Sequence, residues 1–123
     1  MMDLRVIDKA FTVCKVKDYS TVDLTGEFVF IAKTDDEKSL VCETTLTPSD
    51  IVTREDGWRA FRIEGMLDFS LIGILSQISS LLADAGIGIF AISTFNTDYI
   101  LTKKDCFDQA LQLLENHGYT IRR

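Results

Sequence analysis

Ser70-Leu71-Ile72-Gly73-Ile74-Leu75-Ser76-Gln77-Ile78-Ser79-Ser80-Leu81-Leu82-Ala83-Asp84-Ala85, followed by Gly86, is the stretch on which the fold turns. Its apolar residues Leu71, Ile74, Leu75, Ile78, Leu81, Leu82 and Ala85 recur at offsets of three and four, one continuous stripe on a helix. Gly86 stands just past the last of them, where a glycine commonly ends a helix. Upstream, Trp58-Arg59-Ala60-Phe61-Arg62-Ile63-Glu64 alternates large and polar side chains, the period of a half-buried strand. Downstream, Ile89 to Thr94 and Tyr99 to Thr102 read as two strands around the polar turn at Asn96-Thr97. A second helix is expected from Cys106 to His117, with Asp105 as N-cap and Gly118 as the residue after the C-cap. It would bury Phe107, Ala110, Leu111 and Leu114, and Tyr119-Thr120-Ile121 would close the chain as a strand. The order is βαββαβ. Neither helix can bury its stripe alone, so both must cover one face of an antiparallel sheet.

The first half holds less helix. Phe11 to Val16 alternates as a strand, and Phe28 to Lys33 with Leu40 to Glu43 form a hairpin around Asp35-Asp36-Glu37-Lys38. Tyr19 to Thr25 and Ser49 to Glu55 stand where the helices of a second βαββαβ unit would fall, but each has room for only a turn or two. Residues 1–57 therefore read as a shortened copy of residues 58–123. Their self-similarity is too weak to establish a repeat from sequence.

Composition narrows the function classes. The 123 residues are 46% hydrophobic and 26% charged, ordinary for a soluble globular chain. A net charge of −6 argues against a nucleic-acid partner, which needs clustered Lys and Arg. No apolar run reaches the roughly 18 residues that span a membrane, and the N-terminus lacks the basic start and apolar core of a signal peptide. Three cysteines without a CxxC spacing suggest reduced packing residues and a cytoplasmic protein, with no metal and no cofactor. His117 is the single histidine, with no nucleophile or carboxylate spaced as its partner, and Gly86-Ile87-Gly88 follows a helix, the reverse of a phosphate loop. No acid–base or nucleophile pair emerges, so the chain is not expected to be an enzyme.

The run from Ala85 through Thr94-Phe95-Asn96-Thr97-Asp98-Tyr99 to Leu101, with Leu67-Asp68-Phe69-Ser70-Leu71-Ile72-Gly73 before it, resembles the signature stretch of ACT domains. It is most similar to the variant in small bacterial ACT proteins and in the tandem-ACT arginine sensors of animal cells. One departure is Ser70, which stands where many ACT domains have a Pro-Gly turn. The resemblance implies a ferredoxin-like α+β domain at 58–123, preceded by a degenerate ACT-like half at 1–57. It also implies a regulatory module that binds an amino acid, pairs as a homodimer and acts on an unidentified partner protein.

An amino acid needs an acceptor for its ammonium and donors for its carboxylate. Asp98 fits the first need, with Asp68 as a second anion. Backbone N–H groups around Ser70 and Leu71, at a helix start, fit the other. Thr94 and Phe95 flank the same turn and offer a hydroxyl and a ring wall. Blander roles stand beside these: Asp98 as a turn cap, Ser70 as a helix N-cap, Phe95 as core. The uncharged helix face of Gly73, Ser76, Gln77 and Ser80 suits a contact with another subunit or with the first half. A structural or interaction module without ligand, and a minor enzyme on a ferredoxin-like fold, are the competing classes.

Overall fold

The computed structural model describes residues 2–64 and 73–123. The elements run β1 (Asp3–Val16), β2 (Val29–Lys33), β3 (Lys38–Glu43), β4 (Ile51–Ile63), α1 (Ile74–Asp84), β5 (Phe90–Ser93), β6 (Asp98–Lys103), α2 (Lys104–Asn116) and β7 (Thr120–Arg122). A 3-10 turn at Thr44–Leu46 precedes β4. The chain forms two compact units, one of Lys9–Trp58 and one of Met1–Asp8 with Arg59–Arg123. The first eight residues thus belong with the C-terminal unit.

In the C-terminal unit β4, α1, β5, β6, α2 and β7 follow in the expected order. The strands lie side by side as β7-β1-β4-β6-β5. β5 pairs antiparallel with β6, from Phe90↔Leu101 to Ser93↔Asp98. The start of β1 sits between β4 and β7 and pairs parallel with β7, from Asp3↔Thr120 to Arg5↔Arg122. This parallel rung departs from the antiparallel expectation, which assigned no strand before Phe11. The reason is in the residues: Leu4 and Val6 alternate with Asp3 and Arg5, and their side chains enter the core. The Glu64 N–H donates to the Asp3 carbonyl at 2.8 Å, tying β1 to the chain just beyond β4.

Both helices bury their stripes in that core. Ile78 and Leu82 of α1 and Phe107, Ala110, Leu111 and Leu114 of α2 meet Phe61, Ile63 and Ile100 from one face of the sheet. Each fully buried large side chain contributes about 1.5–3 kcal/mol relative to exposure. Both helices end in the same way. The Gly86 N–H donates to Ala83 and Ile87 to Leu82; the Gly118 N–H donates to Glu115 and Tyr119 to Leu114. Gly86 and Gly118 have φ of 75° and 99°, the left-handed conformation this termination requires. Ile87 and Tyr119 then pack into the core beside Leu82 and Leu114.

The helix starts differ from the sequence reading. α1 opens at Ile74 on Gly73, at φ 92° and without a side-chain cap; α2 opens on Lys103, with Asp105 inside the first turn rather than at the cap. An acid in the first turn still complements the helix dipole.

In the other unit the order is β2-β3-β1-β4, with β3 antiparallel to both β2 and β1. Its core is Cys14, Val16, Leu40 and Cys42, with Tyr19, Val22, Val29 and Ile51 packed against it. Neither stretch set aside for a helix forms one. Between Tyr19 and Thr25 the Asp18 and Asp23 carboxylates accept from Ser20 and Thr25, which holds the backbone in turns. From Ile51 onward, Ser49 to Glu55 is already strand β4.

Candidate ligand site

The hairpin between β5 and β6 closes without glycine. No residue other than glycine has a positive φ among those described, so Phe95 and Asn96 turn the chain at ordinary dihedrals. Thr94 supplies the closure: its N–H and hydroxyl donate to the Thr97 carbonyl at 2.8 and 2.9 Å, and its Oγ1 accepts from the Thr97 N–H at 3.3 Å. Thr97 is buried, and its hydroxyl donates to the Ile63 carbonyl at 2.6 Å, which pins the turn to the end of β4. The β2–β3 hairpin is built alike, with the Thr34 N–H on the Glu37 carbonyl at 2.9 Å and the Thr34 hydroxyl accepting from Asp36 and Glu37.

Asp98 occupies the first rung of β6, opposite Ser93. Alternation along the strand sets it on the side of Ile100, the face the helices cover. It is half-buried, takes no part in closing the turn, and its carboxylate makes no hydrogen bond or ion pair among the described residues. Phe95 projects from the turn at 83% exposure, so its ring belongs neither to the core nor to a closed wall. Asp68, Ser70 and Leu71 lie outside the described residues.

Tyr99 points the other way and meets groups that were not singled out from sequence. Together with Arg62, Ile63, Glu64, Thr94, Asn96 and Thr97 it lines a cavity of about 380 Å³, which Asp98 and Phe95 do not line. Arg62 donates from Nε to Glu64 at 3.3 Å and from Nη1 to the Tyr99 hydroxyl at 3.2 Å. Its guanidinium carbon stands 5.9 Å from the Tyr99 ring centre. The Tyr99 hydroxyl, and after it Glu64, raises the Arg62 pKa further above its ordinary value. Arg5 Nε approaches the same Glu64 oxygen at 4.0 Å. Alternation within Phe61-Arg62-Ile63-Glu64 already separates the charged pair from the core pair. No sequence signal told that Tyr99 falls beside them, because that depends on the pairing of β4 with β6.

The other reactive side chains are engaged elsewhere. His117 Nδ1 lies 2.9 Å from the Leu113 carbonyl at the end of α2. Burial raises the pKa of Cys14 and of Cys42. Among the described residues no cluster of three metal-ligating side chains occurs, and no helix is long and apolar enough to cross a membrane.

A model of the ACT domain matches residues 53–116, more than half the chain. The chain belongs to the ACT domain family. Its α+β architecture, with antiparallel hairpin and two helices, agrees with that membership. The "Cytosolic arginine sensor for mTORC1 subunit 1" of Homo sapiens, like that of Bos taurus, is 40% identical over 72 residues, 55% of this chain and 22% of the sensor. The chain thus matches less than a quarter of that relative's length. The crystal structure of protein Atu0741 from Agobacterium tumefaciens superposes with a TM-score of 0.86 at 31% identity, covering 98% of this chain and 91% of that one. An aspartate kinase from Clostridium acetobutylicum, described as an allosteric enzyme, shares the fold over 89% of this chain and 33% of its own, with a TM-score of 0.63 at 14% identity.

Proposed function

We propose that this ACT protein is a cytoplasmic amino-acid sensor without catalytic activity, whose ligand occupancy alters its own assembly or a partner protein. The observation that carries the reading is Asp98: a half-buried carboxylate beside a threonine-closed turn, left unpaired by every described residue. Withdrawing a charge from water without a partner is costly, so such a group favours a cationic ligand. Asp98 would accept the ligand's ammonium, or a basic side chain if the ligand is arginine-like. Thr94 and Phe95 flank it, Asp68 would serve as a second anion, and backbone N–H groups around Ser70 and Leu71 would meet the ligand carboxylate. The arginine sensor named above supports the ligand class, since it is 40% identical over 72 residues. The first half reads as a shortened ACT unit, which its like-built hairpin supports. Phe95, an exposed ring at the tip of the turn, favours a homodimer in which a second copy covers it.

The test is a thermal-shift screen of the common amino acids, followed by calorimetry on Asp98→Asn. A ligand at 100 times its Kd adds about 2.7 kcal/mol. Losing the charged partner of a desolvated ammonium costs about 2–5 kcal/mol, so Asp98→Asn should weaken binding about 30-fold or more while the fold persists. No shift with any amino acid at millimolar concentration refutes the sensor reading and leaves an interaction module.

A further inference from the structure

The cavity around Arg62 lies on the sheet face away from the helices and shares only Thr94, at the hairpin turn, with the reading above. Arg62 carries five N–H bonds. Nε is spent on Glu64 and one Nη1 hydrogen on Tyr99, so the Nη2 amino group donates to no described residue. The side chain is held, not loose: Glu64 and Tyr99 fix two edges of the guanidinium plane, and only 32% of it is exposed. A planar donor edge already oriented and partly dehydrated is the arrangement that a carboxylate engages through two parallel bonds.

The charges around it are unequal. Glu64 balances one cation, yet both Arg62 and Arg5 converge on its Oε2 atom, at 3.3 and 4.0 Å. On the adjoining rungs Arg122 is matched by Asp3 at 2.6 Å and adds nothing. Among the described residues the neighbourhood therefore keeps one positive charge in excess, within a chain of net charge −6. The hairpin turn supplies a polar rim through Thr94, Asn96 and Thr97, and the Tyr99 ring supplies apolar wall. At about 380 Å³ the cavity falls within the range of small-molecule sites.

We propose that this cavity is a second ligand site, which takes a small organic carboxylate on the free edge of Arg62. It is separate from the Asp98 site, since the two side chains leave opposite faces of the sheet. An amino acid that used both would have to reach around the hairpin, so the sites differ in charge preference: a cation at Asp98, an anion at Arg62.

The experiment is a titration of the full chain with succinate, followed by calorimetry and by amide chemical shifts. Acetate and L-aspartate serve as further arms that separate a bare carboxylate from one carried on an amino acid. Saturable succinate binding is expected, with shifts concentrated at residues 62–64 and 94–99. Arg62→Gln should lower the affinity about tenfold or more, and Arg62→Lys, which keeps the charge but not the fork, should fall between. Asp98→Asn should leave succinate affinity unchanged, so failure of the amino-acid site does not touch this one. Absence of saturable binding by succinate, acetate and L-aspartate alike overturns the proposal, as does equal affinity in a folded Arg62→Gln or Arg62→Lys chain. Loss of succinate binding in a folded Asp98→Asn chain overturns it too, by making the two sites one.

Discussion

Thr97→Val removes one hydroxyl and almost no volume, which isolates the bond that anchors the hairpin turn to β4. Thr97 is 7% exposed and donates to the Ile63 carbonyl at 2.6 Å. With valine there the carbonyl loses that donor inside the protein, where water cannot replace it. Leaving a buried acceptor short of its partner costs about 1–3 kcal/mol. A 123-residue chain melts with an unfolding entropy that makes 1 kcal/mol worth about 4 °C. The expected loss is then about 4–12 °C in Tm, or an equivalent fall in urea midpoint at unchanged slope. Circular dichroism and the fluorescence of Trp58, the single tryptophan, would follow the transition. Thr97→Ser keeps the donor and loses a methyl group, so it should cost less than the valine change. A valine variant within about 0.5 kcal/mol of the parent, or a serine variant that is worse, would refute the anchoring role of this bond.

Gly86→Ala forces a side chain to φ 75°, where an added Cβ meets nothing within 4 Å, so the cost is backbone strain alone. That strain is about 1–2 kcal/mol by urea unfolding. Gly88→Ala, equally unobstructed and without the positive φ, should be neutral or stabilising by about 0.4–1 kcal/mol. Cys14 and Cys42 are buried and hold their protons above the usual thiol range, so less thiolate exists at neutral pH and their modification should accelerate as pH rises. An aromatic disulfide reagent on the native chain at neutral pH should titrate the half-buried Cys106 first and the other two only on denaturation; equal rates for all three would contradict the buried positions.

Periodicity made the C-terminal unit readable because its signals are local. The stripes of Ile78 and Leu82, and of Phe107, Ala110, Leu111 and Leu114, lie within single elements, and Gly86 and Gly118 mark where each ends. What could not be read depends on pairing across the chain. The Asp3 to Val6 alternation is too brief to declare a strand until β4 and β7 offer it backbone partners. The same holds for the site. Thr94 and Asp98 could be located from the hairpin alone, but Arg62 and Tyr99 meet only once β4 and β6 are in register. Asp105 shows the opposite failure: it is a good capping residue, yet the helix begins two residues earlier, with Lys103 at the cap, because Thr102 and Lys103 extend β6 right up to α2. The short first half was misjudged at Ser49 to Glu55, where strand β4 simply begins sooner and runs for 13 residues.

The strand at residues 3–8 stands between β4 and β7, so the C-terminal unit is assembled from two stretches separated by the other unit. During synthesis its first strand leaves the ribosome more than fifty residues ahead of the elements it must join. Arg59 to Asn116 can form their helices and hairpin from nearby contacts, but the slot beside β4 fills only when the opening residues return. Closing that long loop is the slow kind of event in folding. A fragment starting at Arg59 would carry every ACT helix and still present an unfilled strand position, with Leu4 and Val6 missing from its core and β7 deprived of its neighbour. Such a fragment should recover its fold when residues 1–8 are supplied as a separate peptide, or when they are spliced to its C-terminal end through a linker of about a dozen residues or more, long enough for the crossover that a strand parallel to β7 requires.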